Sequence, residues 1–139
     1  VDVDTGFVKL LKHWAVEDCG RVLNPMLVDE QMRGAIVQGI GGALFEECLY
    51  DEQGLMLNAN MADYLVPMSA EMPDIEVAHV MTPTRSSKLG AKGAGEAGTA
   101  GAPAAVMNAI NDAIAPFGAT VHSQPITPQK VLRALGKVT

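Results

Sequence analysis

Lys88-Leu-Gly-Ala-Lys-Gly-Ala-Gly-Glu-Ala-Gly-Thr99 places four glycines, at positions 90, 93, 95 and 98, around a single acid, Glu96. Glycine lacks a Cβ, so such a loop can bring its backbone close to a ligand, at a cost in ordering entropy. Residues 99–115 follow as an amphipathic run that reads as a helix, with Pro103 placed near its first turn, where proline is tolerated. Glu96 is therefore expected just upstream of a helix N-terminus, where free N–H groups and the positive end of the macrodipole favour anions. That is a setting for a general base. The plainer alternative is a tight turn with a capping or solvated glutamate.

Working outward, 139 residues suffice for one domain with a core, and 48% hydrophobic content argues against disorder. Aromatics are only 4%, so the core falls to Ala, Val, Leu, Ile and eight Met. The net charge of −6, with ten scattered basic residues, argues against nucleic acid, which needs clustered Lys and Arg. No apolar run reaches the length of a membrane span. Val1-Asp-Val-Asp-Thr-Gly6 has neither the basic nor the apolar region of a secretory signal. Cys19 and Cys48 form no CxxC pair, so this chain alone cannot hold an iron–sulfur cluster. They read as two reduced, buried thiols of a cytoplasmic protein, with a disulfide as the alternative. His13, His79 and His122 lack ligand spacing and read as strand or loop histidines rather than metal ligands.

Asp2 to Gly6 reads as a hairpin turn and residues 7–16 as the strand after it. The strand before it is missing, which suggests that the chain is a C-terminal portion of a longer polypeptide or a processed subunit. Asn24-Pro25 is an N-cap followed by a first-turn proline. Val28, Met32, Ile36, Ile40 and Leu44, widened by Leu27, Ala35, Ala43 and Phe45, then predict one long buried helix to about Tyr50. It contains Gly34, Gly39, Gly41 and Gly42, which at roughly 1 kcal/mol each cost several kcal/mol of helix propensity. Close approach of another backbone or a ligand would offset this. Gln38, on the same apolar segment, needs partners for its amide if buried.

Asp51 to Gly54 reads as a turn, residues 55–57 as a short strand, residues 58–73 as irregular and Ile75 to Thr82 as a strand with one buried face. Thr127-Pro128 caps a last helix through Leu135, stopped by Gly136. Strands and buried helices without a βαβ rhythm give an α+β class and a single domain over 1–139.

Gly93-Ala-Gly-Glu-Ala-Gly98 also satisfies the spacing of the dinucleotide fingerprint. That fingerprint must follow a hydrophobic strand directly, and residues 84–89 are too polar for one. A Walker A loop fails because Lys92 is followed by Gly93. A Rossmann-like nucleotide binder and a non-catalytic assembly module remain as alternatives.

Three blocks, Val16-Glu-Asp-Cys-Gly-Arg-Val-Leu-Asn-Pro-Met26, Arg33-Gly-Ala-Ile-Val-Gln-Gly-Ile-Gly-Gly-Ala-Leu-Phe-Glu-Glu47 and Lys92-Gly-Ala-Gly-Glu-Ala-Gly-Thr-Ala-Gly-Ala-Pro103, resemble the C-terminal part of the molybdopterin-binding large subunit of the xanthine oxidase family. That family includes aldehyde oxidoreductases, N-heterocycle hydroxylases and aerobic carbon monoxide dehydrogenases. The resemblance implies a fragment of the molybdenum-cofactor domain of a hydroxylase that takes its oxygen from water. It implies Glu96 as the base beside molybdenum and Gln38 with Gly39 against the cofactor. The backbone of Lys92, Gly93, Ala94 and Gly95 would line the site. The blocks look closest to bacterial subunits carrying molybdopterin cytosine dinucleotide. The resemblance also implies an iron–sulfur partner subunit, often with a flavin (FAD) partner beyond it. The isolated piece is expected to be inactive.

Overall fold

The computed structural model describes residues 1–139. Two strands, β1 (Lys12–Glu17) and β2 (Asp74–His79), and three helices, α1 (Pro25–Leu44), α2 (Ala97–Ile114) and α3 (Pro128–Ala134), make up the regular structure, with single 3₁₀ turns at Ser69–Glu71 and Ala115–Phe117. Helices and a small sheet in one fragment make the class α+β, as the sequence predicts. The strands pair in parallel, Lys12 opposite Asp74 through Glu17 opposite His79, with α1 in the connection between them.

β1 begins at Lys12 rather than Phe7 because a strand extends only as far as its partner, and β2 starts at Asp74. The turn at the N-terminus does form. Asp2 N–H donates to Phe7 O (2.9 Å) and Gly6 N–H to Asp2 O (2.8 Å). No strands flank it.

α1 starts as expected: the Asn24 side chain accepts from Leu27 N–H and Pro25 occupies the first turn. Met32, Ala35, Ile36, Ile40 and Ala43 are buried, whereas Leu27 is exposed. The helix ends at Leu44, before Tyr50, because a buried asparagine captures the chain beyond it. Asn58 donates to Glu47 O (2.6 Å) and accepts from Leu49 N–H (3.0 Å). These bonds draw residues 47–57 into a turn around Asp51, closed by a single antiparallel bridge, Tyr50 to Met56, in place of the expected short strand.

The core lies between α1 and α2. Ile36, Ile40 and Ala43 pack with Ala102, Val106, Ile110 and Ile114, and Ala119, Val121, Ile126 and Val131 close the end. α2 begins at Ala97, so Pro103 lies in its second turn and not, as expected, at its start. The reason is Gly98, where a Cβ would sit 2.6 Å from Met32 O and 2.9 Å from Ile36 Cγ1. The missing side chain lets the first turn of α2 nest on α1. At Gly39 a Cβ would lie 2.8 Å from Ala102 Cβ, so that helix glycine serves the crossing of the two helices. Gly34 and Gly42 face open space.

Asn111 grips the segment after α2, donating to Val121 O (3.0 Å) and accepting from Val121 N–H (2.8 Å). α3 follows with Thr127 as its side-chain cap and ends one residue earlier than expected.

Candidate active site at the glycine loop

The glycine loop is held at both ends and free in the middle. Upstream, the chain leaving β1 forms an antiparallel bridge, Gly20 to Ala91. Lys92 N–H donates to Cys19 O (2.7 Å) and Arg21 N–H to Gly90 O (3.0 Å). Gly90 adopts φ +74, which allows its carbonyl to accept from Thr84 N–H as well (3.1 Å). Asp18 sits at the centre of this junction. Its Oδ1 accepts from Gly20 N–H (2.8 Å) and Thr82 N–H (3.1 Å), and its Oδ2 pairs with Lys92 Nζ at 3.0 Å. The Thr82 and Gly20 amides, followed by the Lys92 ammonium, hold the Asp18 carboxyl below the usual carboxylate range.

Downstream, the loop is tied to α1. Gln31 Nε2 donates to Gly95 O (3.0 Å) and Thr99 Oγ1 donates to Ala35 O (3.0 Å), with Gln38 Oε1 at a longer 3.4 Å from the same hydroxyl. Gln38 is thus exposed at the edge of the helix pair and not buried. Gly39 is buried under α2. Among the backbone groups predicted to line a cofactor, Lys92 N–H is already engaged by Cys19. The N–H groups of Gly93, Ala94 and Gly95, and that of neighbouring Glu96, make no hydrogen bond within the chain. Gly93 and Gly95 both face open space and neither takes positive φ, so their value lies in accessible backbone rather than in an unusual turn.

Glu96 occupies the N-cap position of α2 at φ −110, ψ 3, yet its side chain caps nothing. It is exposed, with no hydrogen-bond or ion-pair partner in the chain. Of the two plainer readings of Glu96, the helix cap is absent, whereas within this chain the side chain does have the surroundings of a solvated glutamate. Beside it, Trp14 and Val16 of β1, with Ala97 and Gly101 of α2, line a shallow cleft. Four unpaired N–H donors, an uncommitted carboxylate and open space above them can receive an anionic, oxygen-rich group and move a proton next to it.

The family of Molybdopterin cofactor-binding domain matches residues 1–73, more than half of the chain. The chain belongs to that family. Similarity to individual members of molybdenum-enzyme subunits extends through the glycine loop. The nicotine 6-hydroxylase large subunit of Paenarthrobacter nicotinovorans is 47% identical over 134 residues, covering 96% of this chain and 16% of that protein. The aldehyde oxidoreductase molybdenum-binding subunit PaoC of Escherichia coli K12 is 40% identical over 136 residues, covering 96% and 18%. The crystal structure of quinoline 2-oxidoreductase from Pseudomonas putida 86 superposes with a TM-score of 0.94 at 40% identity, covering 100% of this chain and 18% of that one. The chain thus spans less than a fifth of the relatives it matches.

The glycine run does not follow a strand directly. β2 ends at His79, and residues 80–92 intervene as turns and a bridge. The geometry of a dinucleotide-binding loop is absent. No group of three or more His, Cys, Asp or Glu side chains is arranged to hold a metal ion.

Sequence reasoning missed Asp18, Gln31, Thr99 and the cluster around His79. His79 Nδ1 lies 3.1 Å from Glu17 Oε1 and its Nε2 2.6 Å from Asp29 Oδ1. The Asp29 hydrogen bond, supported by Glu17 and opposed by desolvation, raises the imidazole above its ordinary value. The parallel pairing of β1 with β2 sets Glu17 opposite His79, and the first turns of α1 bring Asp29 to the other ring nitrogen. Cys19 is buried as expected, but Cys48 is exposed and both are free thiols, because residues 45–50 turn outward after α1.

Proposed function

We propose that this chain is a portion of the molybdenum-binding subunit of a hydroxylase that oxidises an aldehyde, an N-heterocycle or a related small substrate, with water as the oxygen source. Family membership and the names of the relatives support the reaction class. The observation that carries the site is the Glu96 carboxylate, which stands free at the start of α2 beside the unpaired N–H groups of residues 93–96. Those donors and the open space over Gly93 and Gly95 fit a molybdopterin, in its cytosine dinucleotide form by resemblance.

When bound, the molybdenum centre supplies the two-electron oxidation and the delivery of oxygen to carbon. The protein supplies placement and a proton acceptor. Glu96 is the general base, Gln38 lies on the exposed helix edge toward the cofactor with Gly39 beneath it supporting the α1–α2 crossing, and the backbone of Lys92, Gly93, Ala94 and Gly95 forms the rim. An exposed carboxylate becomes an effective base only when the rest of the subunit closes over it. The composition supports such closure. Only 22 of 139 residues are buried, and Phe7, Leu11, Trp14, Met26, Leu27 and Met61 lie exposed on a chain that is 48% hydrophobic. The remainder of the molybdenum subunit is the cover, and iron–sulfur and FAD-bearing partner subunits carry the electrons away in the cytoplasm.

In the complete enzyme, Glu96→Gln should retain molybdenum and lose about 10²- to 10⁴-fold in turnover, the contribution of a positioned base. Wild-type turnover in a fully loaded Glu96→Gln enzyme would remove the assignment.

A further inference from the structure

Residues 93–96 include two glycines and donate no N–H hydrogen bonds, and the bonds their carbonyls accept, from Gln31 to Gly95 O (3.0 Å), Ala97 N–H to Ala94 O (3.4 Å) and Ala100 N–H to Glu96 O (3.2 Å), all come from the helix side, so nothing within the span holds Glu96 from upstream. Its place is set by the two ends. The downstream end is the start of α2, pinned to α1 by Gly98, by Thr99 and by the Gln31 bond to Gly95 O. The upstream end is Lys92. Its N–H is bonded to Cys19 O, and its ammonium reaches Asp18, whose other oxygen is fixed by the Gly20 and Thr82 amides. Asp18 is thereby a rigid acceptor to which the Lys92 side chain comes.

We propose that the Asp18–Lys92 pair is a latch that positions Glu96, with Asp18 the fixed half and Lys92 the half that carries the loop. The proposal rests on the reading of Glu96 as the base. The 3.0 Å contact joins residues 74 positions apart and lies four residues from the carboxylate it is to place. Neither residue is required to touch the substrate. Both act through Glu96 and are positioning residues.

The test uses the complete, molybdenum-loaded enzyme with Lys92→Met, Lys92→Arg, Asp18→Asn and Glu96→Gln, and Lys92→Met combined with Glu96→Gln. Lys92→Met keeps the backbone bond to Cys19 and the Asp18 amide contacts while removing the ammonium. Metal content should be unchanged in it. kcat should fall about 10- to 100-fold, the scale of a misplaced catalytic group, with KM within about threefold. Amides 93–97 should exchange hydrogen faster in mass-spectrometric measurements on the same loaded enzyme. Lys92→Arg should recover most of the rate. In the Glu96→Gln background, Lys92→Met should cause no further loss, because the latch acts only through that carboxylate. Turnover unaffected by Glu96→Gln would overturn the reading of the base itself. With that variant impaired, wild-type kcat in both Lys92→Met and Asp18→Asn would overturn the latch alone. So would an additive loss in the double variant. Loss of molybdenum from both Lys92→Met and Asp18→Asn would overturn it too, since the pair would then serve cofactor retention.

Discussion

Gly39 of α1 and Ala102 of α2 are in such close register that a methyl group on Gly39 would stand 2.8 Å from Ala102 Cβ. The same surface carries Gly98, whose missing side chain faces Met32 O. The two glycines therefore set the separation of α1 and α2, and with it the height at which the glycine loop crosses α1.

Gly39→Ala gains roughly 1 kcal/mol of helix propensity but overpacks the crossing by about 1 to 3 kcal/mol. Gly98→Ala faces backbone, which cannot rotate away, and should be the more damaging. Denaturation of the complete subunit followed by hydrogen exchange in residues 97–106 should rank the two variants in that order. Equal protection in both would show that the crossing adjusts freely.

His79 gives a pH dependence whose sign follows from its raised imidazole. The folded state binds the proton more tightly than the unfolded chain, so the stabilisation is complete below the ordinary imidazole value of about 6.5. It is lost as pH rises through the higher folded value. Protection of the β2 amides, residues 74–79, should therefore weaken from neutral toward alkaline pH. His79→Gln should flatten that dependence. A dependence of the opposite sign would mean that His79 is neutral between Glu17 and Asp29.

Asn111 supplies both a donor and an acceptor to Val121, tying the segment after α2 to the helix. Asn111→Ala leaves both backbone groups without that partner and should cost about 1 to 3 kcal/mol. Asn111→Asp keeps the acceptor but sets a carboxylate oxygen against Val121 O and should cost at least as much, as measured by thermal unfolding.

Asn58 decides where α1 stops. Asn58→Leu removes the bonds to Glu47 O and Leu49 N–H and should cost about 1 to 3 kcal/mol, with faster exchange at residues 47–50. Unchanged exchange there would place the helix stop in the Phe45 backbone alone.

Much of the framework was legible in local chemistry. Asn24-Pro25 and Thr127-Pro128 announced two helix starts, and the four-residue repeat from Met32 to Ile40 announced the face that is buried. The glycine loop with its one acid was legible too, since it lies within a dozen consecutive residues. The helix end at Leu44 was not, because Asn58, eleven positions beyond Glu47, settles it through a buried side chain.

Sequence by itself thus determined the caps, the apolar stripe and the identity of the acid, all properties of residues within a few turns of one another. Tertiary structure alone decided that β1 lies parallel to β2, that Asp18 meets Lys92 and that His79 stands between Glu17 and Asp29. It also decided that Glu96 is left without a partner at the start of α2. The physical reason is that a charge or a hydrogen-bonding group carries no mark of its distant partner. Helix caps and periodicity act through neighbouring backbone, whereas these pairs exist only after the apolar faces of α1 and α2 have closed.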